Sequence, residues 1–361
     1  MSFALCLSAI AQGAPRYHVT DLGPIHPIDM NNFGQVTGLK LDLSGSLLWT
    51  PPAVNGTSGN LTDLGTLAGG ANAVAYGVND FGQVIGQSAT STFPTAYVWT
   101  PTSPNATTGS MVGLGSNLRS AFGINASGQV TGYNAFNHAF LWTPNSPNTS
   151  AGTVVDLGNF AGVTGSSNGV ELNALGQVVG SGTASNGEHA MLWTPSTPNG
   201  SSGTMVNLGD VGGGVFSSFS HDINASGQVV GSSGSMRDLG QLRNVVQDQG
   251  EATSINDSGQ VVGFANGTRP VTGFLWTAED GLMDLNSLLD DSGAGWYLAE
   301  TRAINNSGEI AGICTFDPDG AGPLPSRNSG FLLTPVPEPA LMAMLPPVMM
   351  FICLRRGRYL R

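Results

Sequence analysis

The sequence predicts an all-β fold built from repeated four-stranded units, and three observations carry that prediction. A phrase with Asn first and Gly fourth recurs seven times along the chain. Each recurrence is flanked by apolar runs of four to six residues, bounded by Gly, Pro, Asn and Ser, which read as strands. No sustained helical periodicity interrupts them.

The phrase is clearest as "INASGQV", spelled identically at 124–130 and 223–229. Its Asn/Gly pairs are Asn31/Gly34, Asn79/Gly82, Asn125/Gly128, Asn173/Gly176, Asn224/Gly227, Asn256/Gly259 and Asn305/Gly308. The glycines are spaced 48, 46, 48, 51, 32 and 49 apart, a repeat architecture with one short unit. The third unit shows the elements in order: strands over 120–124, 129–132, 138–143 and 153–158. Between the first two, Asn-x-x-Gly suits a type I turn whose Gly takes the left-handed region as a G1 bulge.

Four strands in about 48 residues is the size of one β-propeller blade. Fourth strands of the "DLG" kind begin their motif at Asp21, Asp63, Gly113, Asp156, Asn207, Asp238 and Asp284. The first precedes any hairpin, and the last unit ends at "GFLLTP" without one. The expectation is therefore a β-propeller of about seven four-stranded repeats, closed into a ring by the N-terminal strand. Between Gly231 and Asp238 the third-strand run is missing, so the fifth unit is expected to be three-stranded or distorted, with six blades and an insert as the other count.

Trp49, Trp99, Trp142, Trp193 and Trp276 share one position of the third strand. Repetition at every unit favours packing between units over an exposed sugar platform. Gln35, Gln83, Gln129, Gln177, Gln228 and Gln260, with Glu309 in the seventh place, recur beside the turn and read as hydrogen-bonding partners of nearby backbone. His138 and His189 also sit at a repeat position, and His18, His26 and His221 have no Cys or Glu at ligand spacing. "DPDGAGP" at 317–323 could offer oxygens to Ca²⁺ but lacks a bidentate acid at its far end, so it reads as a turn. No metal, no cofactor and no catalytic residue is expected.

Composition narrows the partners. Lys40 is the single lysine and the net charge is -12, which excludes the basic patches that nucleic acid or anionic membrane surfaces require. Cys314 is the one cysteine outside the apolar end segments, so no disulfide framework is expected. Residues 1–14 read as a short signal peptide, with Ala9 and Ala11 at an A-x-A cleavage site, and with no positive charge before Phe3 it is expected to be truncated. Residues 16–335 form the repeat body.

The C-terminal segment, 336–361, has three parts: Pro337, Glu338 and Pro339, then the apolar run 340–354, then Arg355, Arg356, Arg358 and Arg361. Fifteen apolar residues make a short transmembrane helix, with the arginines cytoplasmic. This order closely resembles the PEP-CTERM sorting tail of Gram-negative bacteria. The resemblance implies recognition and removal by an exosortase and an association with exopolysaccharide and biofilm. Loss of the tail's four arginines would leave 8 basic against 24 acidic residues, about -16.

The units themselves resemble the HAF family of extracellular repeats on His138-Ala139-Phe140 and on its degraded forms Ser46-Leu47-Leu48-Trp49, Ala96-Tyr97-Val98-Trp99, His189-Ala190-Met191-Leu192-Trp193 and Gly273-Phe274-Leu275-Trp276. That family implies an exported repeat protein with no reaction attached. The expected function is a structural or binding role at the cell surface or in the matrix, the tail anchoring the chain transiently in the inner membrane. A secreted propeller enzyme acting on polysaccharide, or an ice- or glycan-binding surface protein, is the alternative. Ligand contacts are expected on the face opposite the Asn-x-x-Gly turns, with Arg119, Glu188, Arg269 and Asp317 as candidates.

Overall fold

The computed structural model describes residues 14–90, 93–209, 217–233, 249–266, 271–320, 322 and 324–337. In the third unit, Leu118–Ile124, Val130–Asn134, Ala139–Pro144 and Gly152–Gly158 pair antiparallel in that order; we call the positions A to D, from the channel outward. Among the described residues six such four-stranded sheets lie in a β-propeller arrangement. The last is assembled from both ends of the chain. Trp296–Ile304, Ile310–Phe316 and Arg327–Pro335 supply A to C, and the N-terminal strand Tyr17–Gly23 pairs with Arg327–Pro335 as D. The expected closing strand is therefore present.

The fifth unit differs from a four-stranded repeat. Ser218–Ile223 pairs with Val229–Ser233, and these are its only strands among the described residues. Its expected fourth-strand motif at Asp238 lies outside the described residues, as do the signal-peptide residues before Ala14 and the tail beyond Pro337 with its expected helix. No helix among the described residues is long and apolar enough to cross a membrane.

The repeated phrase does more than turn the chain. Gly128 N donates to Asn125 O at 2.9 Å, closing the turn, and Gly128 has φ 81, which glycine adopts without the steric cost of a Cβ. The Asn125 side chain then works in two directions. Its Oδ1 accepts from Ser127 N and Gln129 N within the turn, while its Nδ2 donates to Gln129 Oε1 and to Asn173 O of the next unit. The same inter-unit bond runs from Asn31 to Asn79, Asn79 to Asn125, Asn173 to Asn224, Asn224 to Asn256, Asn256 to Asn305, and from Asn305 back to Asn31, at 2.9 to 3.2 Å. Seven buried amides thus form one closed circuit around the central channel. The short 32-residue unit takes part like the others.

Each A strand carries a β-bulge just before its Asn, where one residue is skipped in the pairing with B, as between Ala121 and Gly123. Further up the strand, A-strand carbonyls crowd the facing B strand. A Cβ added to Gly132 would lie 1.9 Å from Ser120 O, and Gly38, Gly86, Gly180, Gly231, Gly263 and Gly312 meet equivalent carbonyls at 1.8 to 2.1 Å. Hydrophobic clusters fill the space between sheets. Trp49, Trp99, Trp142 and Trp193 are buried, as expected for packing between units, and each ring lies on a glycine beside the D strand (Gly59, Gly109, Gly152 and Gly203), where a Cβ would sit 2.5 Å away. Trp276 is half-buried, and its D strand opens with Gly281, which has no such contact.

Candidate functional site

Counting back from each turn Asn shows what the A strands present to the channel. Two residues before it stand Asp29, Gly77, Gly123, Glu171, Asp222, Ser254 and Ala303. The three acids line a cavity of about 280 Å³ at the Asn-turn end, and Asp80 and Asp257 follow at its rim. No Lys, Arg or His is among its lining residues.

Each acid links neighbouring units. Asp29 Oδ1 accepts from Met30 N at 2.7 Å, and its Oδ2 from Val78 N of the second unit at 2.8 Å. Asp222 Oδ2 accepts from Ser254 Oγ and Ile255 N of the sixth, both at 2.8 Å. Glu171 accepts from Leu172 N, and its side chain fills the space that a Cβ on Gly123 would take, 2.8 Å from Oε1. Burial penalises their charged forms. The Asp29 carboxyl is pushed up to about 7, by burial first and then by the negative fields of Asp222 and Asp80. Glu171 is raised well above its ordinary value by burial, then by Asp222 and Asp29. Asp222 is raised by burial, opposed by the hydrogen bonds from Ile255 and Ser254. Burial therefore shifts all three carboxyls toward the protonated form, in which a carboxyl donates as well as accepts.

A second tier of charge lies on the same strands. His221 Nε2 is 3.5 Å from Glu251 Oε1 on the next A strand and 3.1 Å from Ser232 Oγ. Arg302 pairs with Glu300, and its guanidinium stands 5.6 Å from the Phe264 ring. The His26 imidazole is held below its usual value by burial and then by the Arg302 charge. His26 Nδ1 and Arg302 Nε are buried without a hydrogen-bond partner. Aromatic rings occupy another sector, with Tyr76 edge-on to Phe122 at 5.0 Å and Phe122 tilted on Tyr133 at 5.9 Å. Among the described residues no three His, Cys, Asp or Glu side chains come together as a metal ion would need.

The candidates named from sequence are dispersed. Arg119 lies 4.4 Å over the Phe93 ring and reaches Ser116 O at 3.4 Å. Glu188 accepts from Ser181 Oγ at 2.6 Å. Asp317 is tied into its own loop, its N donating to Gly295 O and its Oδ1 accepting from Asp319 N. No hydrogen bond or ion pair joins any two of them, and Arg269 lies outside the described residues. Of the sorting motif, Pro337 lines a groove beside Arg16, Asp280 and Asp290, while Glu338, Pro339, Arg355, Arg356 and Arg358 lie outside the described residues. The convergent cavity sits at the Asn-turn end, not on the face where ligand contacts were expected.

The missed residues had a signal. Aligned on the turn Asn, the place two residues before it is Gly, Ser or Ala in four units and an acid in three, a variation confined to one column. Scanning for motifs, instead of comparing columns, passes over it.

The raised carboxyl of Asp29 sets a pH dependence. Its folded pKa, about 7, lies above the unfolded value, so the stability it contributes is whole at low pH and is lost as pH rises through 7. Wild-type urea midpoints are expected to fall from about pH 4 to about pH 7 and to level off above it, and Asp29→Asn to flatten part of that fall. Equal slopes in the two proteins would refute the assignment.

No family model matches the chain, and no curated protein matches it at a significant level.

Proposed function

We propose that this is an exported repeat protein of the cell envelope or extracellular matrix, a seven-unit propeller with a binding role, linked to exopolysaccharide and sorted through its C-terminal tail by an exosortase. The tail and the repeat phrases, through their likeness to the PEP-CTERM and HAF families, support export and sorting. The circuit of seven turn amides supports counting the two-stranded pair as a seventh unit.

The observation that carries binding over a passive anchoring role is the channel. His26, His221, Glu251, Glu300 and Arg302 project from four A strands next to a cavity walled by acids and flanked by aromatic rings. A passive ring has no use for buried charge, which costs stability unless it is paired. A polar polymer or a fragment of one meets hydrogen-bond donors, acceptors and ring faces there, the chemistry that sugars require.

The same convergence favours a second reading, an enzyme acting on polysaccharide with the His221–Glu251 pair at its centre. Incubating the secreted protein with its host's own exopolysaccharide separates the two. Retention of polymer without shortening supports binding, shortening supports the enzyme, and neither result rejects both. The intact mass of the secreted protein reports tail removal; a mass that retains 338–361 would reject sorting by cleavage.

A further inference from the structure

The seven units are not chemically identical where the ring closes. In six of them a Gln follows the turn Gly, and in the seventh that place is taken by Glu309, fully buried. The Gln units show what the position does. Gln35, Gln83, Gln129 and Gln177 accept from their turn Asn through Oε1 and donate through Nε2 to the hydroxyl of Thr50, Thr100, Thr143 and Thr194. Gln35 and Gln129 also donate to the backbone of Asn105 and Asn199, in the outer loop of the next unit. The amide is thus acceptor and donor within its unit, and through Gln35 and Gln129 a donor across the seam to the next.

Glu309 reproduces half of this. Its Oε2 accepts from Asn305 Nδ2 at 2.7 Å, as a Gln oxygen would. Its Oε1, where the Gln nitrogen belongs, is buried without a partner, and so are Thr334 Oγ1 and Asn55 Oδ1. Thr334 is the counterpart of Thr50, and Asn55 the counterpart of Asn105 on the first unit. In the four Gln units above, the amide N–H gives a hydrogen to the threonine oxygen, and an ionised Glu309 has none to give to Thr334. A carboxylic acid carries that hydrogen.

We propose that the closed ring holds Glu309 protonated, its Oε1 hydroxyl standing in for the Gln amide toward Thr334, and that ionisation of Glu309 loosens the seam between the last and first units. The proton comes from solvent and returns to it. This seam joins the last sheet to the first beside the N-terminal strand, whose pairing with Arg327–Pro335 is the non-covalent closure of the ring. Burial raises the Glu309 carboxyl above its ordinary value, against smaller opposing effects of Asn305 and Thr334. The charged and titratable groups on the strands packed around it are His18 and Asp21 on Tyr17–Gly23, His26 and Asp29 on Ile25–Met30, Glu300 and Arg302 on Trp296–Ile304, and Arg327.

A group with a folded pKa above its unfolded value of about 4.3 contributes fully at low pH and loses that contribution as pH rises. The test compares urea unfolding of the full chain with that of Glu309→Gln from pH 5 to 9. The wild type is expected to lose stability more steeply. The gap between the two unfolding constants should widen by up to about tenfold per pH unit until Glu309 ionises in the fold. Glu309→Gln should be the more stable at pH 8. Asp29, Glu171 and Asp222 titrate in both proteins, so the difference isolates Glu309. Parallel profiles, or a Gln variant weaker at every pH, would overturn the proposal. If Glu309→Gln does not fold, infrared spectroscopy of a Glu171→Gln protein whose glutamates carry ¹³C in the side-chain carboxyl decides, since the label separates them from Asp29 and Asp222. A protonated glutamic acid band at pH 7 supports the proposal, and its absence overturns it.

Discussion

Gly132→Ala should leave a protein that does not reach the native fold at 37 °C. The added methyl would sit 1.9 Å from Ser120 O and 2.8 Å from Ser120 C, both backbone atoms of the paired A strand. Neither can rotate aside as a side chain can. Relief requires opening the ladder between Leu118–Ile124 and Val130–Asn134, which unseats Ala121 and Phe140 from the cluster beneath. Overpacking against mobile side chains costs about 1–3 kcal/mol; against rigid backbone the cost should exceed about 4 kcal/mol, a large share of a total stability of about 5–15 kcal/mol. Circular dichroism melting checks it, with Gly158→Ala as control. That glycine has positive φ, unlike Gly132, and its added methyl meets nothing within 4 Å, so only backbone strain is added there.

Deleting residues 14–23 should be as severe. The strand Tyr17–Gly23 buries Tyr17, Val19 and Leu22 almost completely, about 1.5–3 kcal/mol each, and pairs with Arg327–Pro335 along its whole length. Its loss uncovers the edge of Phe331, Leu332 and Leu333, an apolar strand edge prone to pairing with other chains. Aggregation on expression is the expected outcome. A synthetic 14–23 peptide supplied during refolding should restore a soluble, cooperative fold. A truncated protein that melts within about 1 kcal/mol of the full body would contradict ring closure.

Much of this architecture was legible in the sequence because it repeats. The turn Asn and Gly, the buried Trp and the out-of-phase first strand each recur or conspicuously fail to recur, and counting alone located the closing strand. The reach of Asn125 into the next unit was not legible, since a side-chain amide that serves its own turn looks the same as one that also donates to Asn173 O. Nor was the need for Gly132, which arises from a neighbouring strand's carbonyl and not from its own conformation. The channel residues were harder still. Asp29, Glu171 and Asp222 stand in different units, and only ring closure brings their fields onto one another. Arg119, Glu188 and Asp317 attracted attention as charges in loops, yet each spends its charge on neighbours close at hand. In a repeat protein, comparison of columns is the better guide to sites than conspicuous residues, because the scaffold fixes the rest.

Pairing of the N-terminal strand with Arg327–Pro335 closes the chain into a ring in which the first and seventh units are neighbours. Spin labels on cysteines placed at the exposed loop residues Ser44 and Asp319, with the native cysteines replaced, measure that adjacency in solution. A closed ring predicts a distance like that between labels at Ser44 and Phe93 on the adjacent first and second units. A separation several units longer would mean an open array and would contradict the ring.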